Sequence, residues 1–149
     1  MSGIQQLTPF LMFQSGRAEE ALGFYVDLFA GEVVLIDRYG AETPGMDGQI
    51  RLATFAIAGI QVNIIDSPIQ HGFDFTPSMS LFFRATTQTE LERLWAGLLG
   101  EGGQALMPLN DYGFGPFGWL NDRYGVSWQL NLAEAGAEGE DAPDAEAGT

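Results

Sequence analysis

The side chains of this 149-residue chain that could bind a ligand are mainly amides and hydroxyls. Asn63 and Gln129 stand at matching positions in two similar segments, Gly-Ile-Gln-Val-Asn-Ile (59–64) and Gly-Val-Ser-Trp-Gln-Leu (125–130). A buried amide offers hydrogen-bond donors and an acceptor to a ligand. The same group can instead be satisfied by a neighbouring strand or a serine. The sequence leaves both interpretations of the two amides open.

Side chains suited to acid–base or nucleophilic catalysis are scarce. There is no cysteine, which excludes disulfides, thiol catalysis and zinc–thiolate sites. The one histidine, His71, falls in a predicted loop. A loop histidine can gate a pocket or act as a base near neutral pH, although most are simply exposed to solvent. A single histidine builds neither a multi-histidine metal site nor an arguable Ser–His–Asp triad.

The charge balance restricts the classes of partner. Twenty acidic and six basic residues, all of them arginine, give a formal net charge of −14. Because the chain lacks a basic surface, we expect no nucleic-acid partner and no binding to anionic membranes. Arg38 and Arg51 are expected to form surface ion pairs. No stretch approaches the ~20 apolar residues of a membrane span, and no signal peptide is evident, so we expect a cytoplasmic protein.

Composition also predicts how the chain is organised. Residues 1–132 suit one compact domain, with a first module at about 4–66 and a second at about 77–132. Residues 133–149 contain six acids and no apolar side chain larger than alanine or proline. Such a segment cannot offset the entropy cost of ordering, so we predict a disordered acidic tail.

Apolar periodicity predicts a helix in each module, at 17–29 and 88–99, with Ser15 and Thr87 as caps. One strand precedes each helix and three follow it. The predicted strands are 7–13, 33–39, 50–57 and 60–66, then 78–85, 104–109, 117–121 and 126–132. The first strands also match each other, because segment 8–13 returns 70 residues later as 78–83. The order βαβββ, twice, predicts an α+β fold in which two modules form a curved mixed sheet with the helices on its outer face.

Strand alternation divides the side chains between the two sheet faces. The side chains predicted to lie under the helices are Leu11, Phe13, Val62, Ile64, Met79, Leu81, Phe83, Trp128 and Leu130. The opposite face mixes aromatics with amides and hydroxyls, which is typical of an apolar cavity with a few placed polar groups. A sheet face half covered by a dimer partner is the alternative. The expected ligand-binding residues are Phe10, Met12, Asn63, Ser80, Phe82, Trp119 and Gln129.

Five motifs follow one another in a specific order and spacing. They are Thr-Pro-Phe-Leu-Met-Phe (8–13), Ala-Glu-Glu-Ala (18–21), Arg-Tyr-Gly (38–40), Phe-Thr-Pro-Ser-Met-Ser (75–80) and Asp-Arg-Tyr-Gly-Val-Ser-Trp-Gln (122–129). With the paired βαβββ modules, they resemble the vicinal oxygen chelate superfamily of glyoxalase I, bleomycin-resistance proteins and extradiol dioxygenases. More narrowly, they resemble its PhnB-like branch, over residues 4–132.

The resemblance implies where a metal would bind and shows what is missing there. Metal-dependent members use His, Glu or Gln from four strands, whereas this chain offers Asn63 and Gln129 at the paired final-strand positions. The first-strand candidates are Thr8 or Phe10 in one module and Ser78 or Ser80 in the other. Neutral amides and hydroxyls replace the hydration of a divalent ion poorly. We therefore expect no metal and no other cofactor.

The resemblance also implies several functions. Bleomycin-resistance relatives sequester small molecules, so we expect binding of a small apolar or aromatic molecule without a catalytic metal, in a homodimer. The alternatives are a metal-dependent glyoxalase- or dioxygenase-type enzyme and a protein-interaction module. The branch is often labelled demethylubiquinone 3-methyltransferase, but the sequence lacks the glycine-rich strand-to-helix turn of a methyltransferase with an open α/β sheet. Whether the protein is an enzyme stays open at this point.

Overall fold

Each half of the chain folds as one strand, one helix and three further strands in the computed structural model, which describes residues 5–133. Unit one comprises β1 (Phe10–Phe13), α1 (Ala18–Phe29), β2 (Glu32–Arg38), β3 (Ile50–Ile57) and β4 (Ile60–Asp66). Unit two comprises β5 (Ser80–Ala85), α2 (Gln88–Leu99), β6 (Gln104–Asp111), β7 (Pro116–Asn121) and β8 (Ser127–Leu132). The division between the two units falls between Asp74 and Phe75. The predicted α+β fold of two βαβββ modules is confirmed.

The strands pair within each unit and form two four-stranded sheets. Their orders are β1-β4-β3-β2 and β5-β8-β7-β6. The first and last strands of each unit are parallel, and the other pairs are antiparallel. Because β4 and β8 lie inside their sheets, Asn63 and Gln129 each have a strand on both sides.

That both units form one domain stays a prediction. The predicted tail lies outside the described residues except for Ala133.

In unit one, α1 packs on β3 and β4. It buries Ala21, Leu22 and Tyr25, which follow the predicted helical spacing. The sequence predicted that Ser15 caps the first turn of α1. That prediction was wrong, because a buried carboxylate at the end of β4 takes this role. The backbone N–H of Ala18 donates to Asp66 Oδ1 at 3.0 Å, and the N–H of Ile50 donates to Asp66 Oδ2 at 3.0 Å. One side chain thereby joins the starts of α1 and β3.

Unit two uses the predicted cap and a second buried aspartate. Thr87 Oγ1 accepts the N–H of Glu90 at 3.1 Å, as the capping pattern predicted. Asp122 is buried, and its side chain accepts hydrogen bonds from the segment that follows it. Its oxygens accept the N–H groups of Tyr124 at 2.8 Å and Val126 at 3.1 Å, and Trp128 Nε1 at 3.0 Å. Asp122 therefore fixes the turn that leads into β8.

The strand starts differ from the sequence prediction. β1 and β5 begin at Phe10 and Ser80, later than predicted. Met79 was predicted to lie under a helix, but it is 65% exposed. The reason is a local turn, in which the Met79 N–H donates to the carbonyl of Thr76 at 3.3 Å and delays the start of the strand. The other residues predicted under the helices are buried or partly buried.

The outer strands β2 and β6 are irregular. The register of β2 against β3 shifts between Val33 and Leu35, and that of β6 against β7 shifts on both sides of Met107. Such shifts are typical of β-bulges at sheet edges. The segment around the β2 shift is apolar and exposed. Each sheet therefore carries an interrupted strand at one edge.

Candidate functional site

The side of the first sheet that faces away from α1 is termed face one. The name refers to four residues of that side, Phe10, Met12, Thr54 and Asn63. Asn63 lies opposite Phe10 on β1 and opposite Thr54 on β3. Thr54 Oγ1 donates to Asn63 Oδ1 at 2.6 Å. Phe10 is 56% exposed beside this pair. Face one thus brings together three of the predicted ligand-binding residues.

The corresponding side of the second sheet is termed face two. The name refers to the central residues of that side, which are Ser80, Phe82, Trp119, Ser127 and Gln129. Gln129 lies opposite Phe82 and Trp119, and its Nε2 donates to Ser80 Oγ at 2.8 Å. Trp119 Nε1 donates to Ser127 Oγ at 2.8 Å, and Ser127 is only 2% exposed. Phe82 is 56% exposed. Face two brings together the other four predicted residues.

In each of the two amides, a hydroxyl group forms a hydrogen bond with one polar atom, and the other polar atom has no side-chain partner among the described residues. A primary amide has one acceptor oxygen and one NH₂ group. Thr54 engages one of these atoms of Asn63, and Ser80 engages one of Gln129. Within residues 5–133, neither amide has a second side-chain partner. In each amide, one polar atom is therefore satisfied by a neighbouring hydroxyl, as one interpretation of the sequence predicts. The other polar atom has no side-chain partner among the described residues, as the ligand-binding interpretation requires.

Two residues near face two were not singled out by sequence reasoning. Asn121 lies two positions beyond Trp119 on β7, and its Oδ1 is buried with no hydrogen-bond partner among the described residues. Arg84 lies two positions beyond Phe82 on β5. Their strand positions were available in the sequence, because alternation places them on the same side as Trp119 and Phe82. The sequence could not show how buried these two side chains are or whether their polar atoms have hydrogen-bond partners.

The hairpin between β6 and β7 carries an aromatic cluster, termed the aromatic hairpin (111–117). Tyr112, Phe114 and Phe117 contact one another with ring centroids 5.6–6.4 Å apart. The N–H groups of Gly113 and Gly115, both at positive φ, donate to Asp111 Oδ1 at 2.8 and 3.1 Å. Phe114 is nevertheless 61% exposed. The hairpin is held in place and presents aromatic surface to solvent.

His71 is partly buried rather than freely exposed. Its ring stacks on Phe73 with centroids 4.9 Å apart, and its Nε2 lies 3.2 Å from Ser67 Oγ. Its backbone N–H donates to Gln14 Oε1 at 2.6 Å. Among the described residues none of these contacts is with a carboxylate, so the ring lacks the orienting acid of a catalytic dyad. These three contacts hold His71 in its loop.

The pKa shifts of Glu19, Arg38 and Arg51 belong to surface ion pairs. A hydrogen bond from Arg38, 2.7 Å from Glu19 Oε1, lowers the pKa of that carboxyl. The same bond raises the pKa of Arg38, and the hydrogen bond to Asp37 raises the pKa of Arg51. The predicted surface pairing of both arginines is confirmed. Face one and face two include none of these groups.

A separate groove of about 260 Å³ lies at the C-terminal end of α1, beside the β3–β4 turn. It is lined by Ala30, Gly31, Glu32, Ala56, Ile57, Ala58 and Gly59. None of these is a predicted site residue. Five of the seven lining residues are alanine or glycine, which gives little basis for recognising a particular ligand.

Neither face fits a divalent metal ion. Face one and face two offer only neutral amide and hydroxyl oxygens. In the part of the chain that the structure describes, no group of three or more His, Cys, Asp or Glu side chains could hold a metal. Neutral amides and hydroxyls alone replace the hydration shell of a divalent ion poorly, and metal centres in proteins usually include anionic or imidazole ligands. The donor set therefore does not match a catalytic metal centre.

Comparison with known proteins places the chain in a family. The family model described as 3-demethylubiquinone-9 3-methyltransferase matches residues 5–131. The chain belongs to this family. It is 48% identical to the putative 3-demethylubiquinone-9 3-methyltransferase, PhnB protein, from Bacillus cereus, with a TM-score of 0.82 over 87% of this chain and 100% of that one. The resemblance to the PhnB-like branch is confirmed.

More distant structures share the fold. Protein PA1353 from Pseudomonas aeruginosa is 26% identical, with a TM-score of 0.74 over 87% of this chain and 98% of that one. A mutant of the fosfomycin resistance protein FosX from Listeria monocytogenes, complexed with Mn(II) and 1S,2S-dihydroxypropylphosphonic acid, is 14% identical. Its TM-score is 0.61 over 90% of this chain and 94% of that one, a likeness of fold alone.

No curated protein sequence matches the chain significantly. Among the described residues, no helix has the length and apolar character to cross a membrane.

Proposed function

We propose that this PhnB-like protein binds small apolar or aromatic molecules through face one and face two, without a catalytic metal. One observation carries the proposal, and it occurs in both units. An exposed phenylalanine, Phe10 or Phe82, lies opposite an inner-strand amide of which one polar atom is engaged by a hydroxyl. An apolar surface with a few fixed polar groups is the usual composition of a small-molecule site. The hydroxyl partner fixes the amide, so that its second polar atom can orient a ligand.

The family description names a methyltransferase, but the connections between strands and helices and the sheets of this chain differ from those of an open α/β methyltransferase. A methyltransferase of the open α/β type binds its cofactor at a glycine-rich turn between a strand and a helix. Here β1 leads into α1 through Gln14-Ser15-Gly16-Arg17, and β5 leads into α2 through Thr86-Thr87. Each sheet is mixed and has four strands. We therefore propose binding, and not methyl transfer, for this chain.

Titration of the full-length protein with neutral two-ring aromatics, 2-naphthamide and 2-naphthalenemethanol, tests the proposed function. We expect binding measurable by calorimetry. Replacing Phe82 by alanine should weaken it about tenfold, since an aromatic contact contributes on the order of 1 kcal/mol beyond its buried area. Replacing Gln129 by leucine should weaken it because the orienting amide is lost. Phe114→Ala, an exposed aromatic outside both faces, is the matched control.

The same titration, repeated with a chelator, addresses the metal-dependent alternative. We expect EDTA to leave the affinity unchanged, because neither face offers an anionic metal ligand. Binding that disappears with EDTA and returns with Mn²⁺ would count for a metal-dependent enzyme. No binding by either compound would contradict the proposed function itself.

We also propose that the protein is a cytoplasmic homodimer without a nucleic-acid partner. Its charge of −14 opposes nucleic-acid binding, and the aromatic hairpin offers a surface for a second copy. Tyrosine and phenylalanine are enriched where protein surfaces meet. Sedimentation at micromolar concentration should give twice the monomer mass of 16.1 kDa. Phe114→Ser should shift the distribution towards monomer, and a wild-type mass of 16.1 kDa would contradict the dimer.

A further inference from the structure

Arg84 differs from the other arginines of the chain. Arg17, Arg38 and Arg51 form ion pairs with Glu20, Glu19 and Asp37, at 2.7–3.1 Å. Arg93 and Arg123 make contacts of their own. Within residues 5–133, Arg84 is the only arginine with no hydrogen bond, ion pair or other electrostatic contact. Acidic residues outnumber basic ones 20 to 6, so an arginine without an acidic partner is unexpected in this chain.

The position of Arg84 links it to face two. It follows Ser80 and Phe82 at two-residue intervals on β5, so the three side chains lie on the same side of the sheet. The register confirms the row, since Ser80, Phe82 and Arg84 lie opposite Ser127, Gln129 and Asn131. Successive members are about 7 Å apart along the strand. The strand thus presents a hydroxyl, an aromatic ring and a cation in sequence.

We propose that the ligand of face two is an aromatic or apolar carboxylate, with its anionic group on Arg84 and its apolar body against Phe82. The inference rests on the function proposed above and names the class of ligand. A guanidinium matches a planar carboxylate with two parallel hydrogen bonds, so it fixes orientation as well as charge. The net charge of −14 repels anions from the surface in general. An anion site on this protein therefore requires a cation that its own acids do not neutralise.

The experiment compares two ligands of the same shape that differ in charge. 2-Naphthoate and 2-naphthamide are titrated into the full-length protein at low and at physiological ionic strength. We expect the wild type to bind the carboxylate about tenfold more tightly than the amide, with the difference falling as salt increases. Arg84→Gln should abolish the preference and leave the amide affinity within about twofold. Arg84→Lys, which keeps the charge but loses the planar fork, should retain part of it.

Arg93→Gln is the matched control. Arg93 is an exposed arginine on α2, and α2 packs on the side of the sheet opposite face two. We expect this variant to keep the full preference for the carboxylate. A preference lost equally in both variants would overturn the inference, because it would reflect overall charge and not a site.

The remaining outcomes separate the two proposals. Equal binding of both ligands, unchanged by Arg84→Gln, would overturn the anionic ligand class and leave the proposed function intact. Binding of neither ligand would overturn the proposed function, and the inference with it. Because Arg84 is exposed and makes no hydrogen bond or ion pair among the described residues, its replacement should not alter the melting temperature.

Discussion

Replacement of Asp66 by alanine should lower the free energy of unfolding by about 3 kcal/mol or more, since each hydrogen bond to a charged group contributes roughly 1.5–3 kcal/mol. Its carboxylate is buried and accepts two backbone N–H groups, from Ala18 and Ile50. Both N–H groups are themselves buried, so the variant leaves two donors without an acceptor. An unsatisfied buried donor is more costly than a missing contact at the surface.

The measurement is urea unfolding followed by far-ultraviolet circular dichroism. Tryptophan fluorescence is unsuitable, because all three tryptophans, Trp95, Trp119 and Trp128, belong to unit two. Asp37→Ala is the matched control, since Asp37 forms an exposed ion pair with Arg51. That variant should cost about 1 kcal/mol at most. Equal losses of stability in the two variants would contradict the role assigned to Asp66.

Replacement of Gly31 by alanine should also destabilise unit one strongly. A methyl group at this position would overlap the carbonyl oxygen of Ala56 and would lie 2.8 Å from Ile57 Cγ2. The carbonyl belongs to β3, which pairs with β2 at this point, through Ala56 and Glu32. No side-chain rotation relieves a contact with backbone. Overpacking typically costs about 1–3 kcal/mol, and we expect the upper end of that range or beyond.

Gly23→Ala gives a control of opposite sign. Gly23 lies inside α1, and an added methyl group there would meet nothing within 4 Å. Alanine is favoured over glycine inside a helix by about 0.5–1 kcal/mol. One glycine substitution should therefore stabilise unit one while the other destabilises it in the same urea titration. A neutral or stabilising Gly31→Ala would show that the connection between α1 and β2 can relax.

The helices and the order of strands were predictable because their signals are local. Apolar spacing placed α2 at the observed bounds and α1 within one residue. The anchoring role of Asp66 was not predictable, because the N–H of Ala18 lies 48 residues away in the chain. The contacts of Asp122 and the isolation of Arg84 are also properties of the folded chain. Hydrogen bonds of this kind leave no periodic pattern in a sequence.

The pairing of the first strands was only partly predictable. The sequence repeat aligns Phe10 with Ser80, whereas the register places Phe10 opposite Asn63 and Phe82 opposite Gln129. If Asn63 and Gln129 are taken as equivalent, the residue of unit two that corresponds to Phe10 is Phe82 and not Ser80. The two alignments of the first strands therefore differ by two residues. A shift of two leaves every side chain on the same sheet face, because strands alternate with a period of two. Within the strands, the faces were therefore predicted correctly even though the alignment of the repeat was not; Met79, which precedes β5, is the exception.

The interrupted outer strands have a consequence for protein kept at high concentration. β2 is apolar and exposed around Val34, and an uninterrupted strand of that character would recruit the same strand from another molecule. The register shifts in β2 and β6 break the even row of backbone groups that such recruitment needs. Both sheets thus have a built-in barrier against growing into fibrous aggregates at these edges, and the apolar composition of β2 can be kept without that hazard.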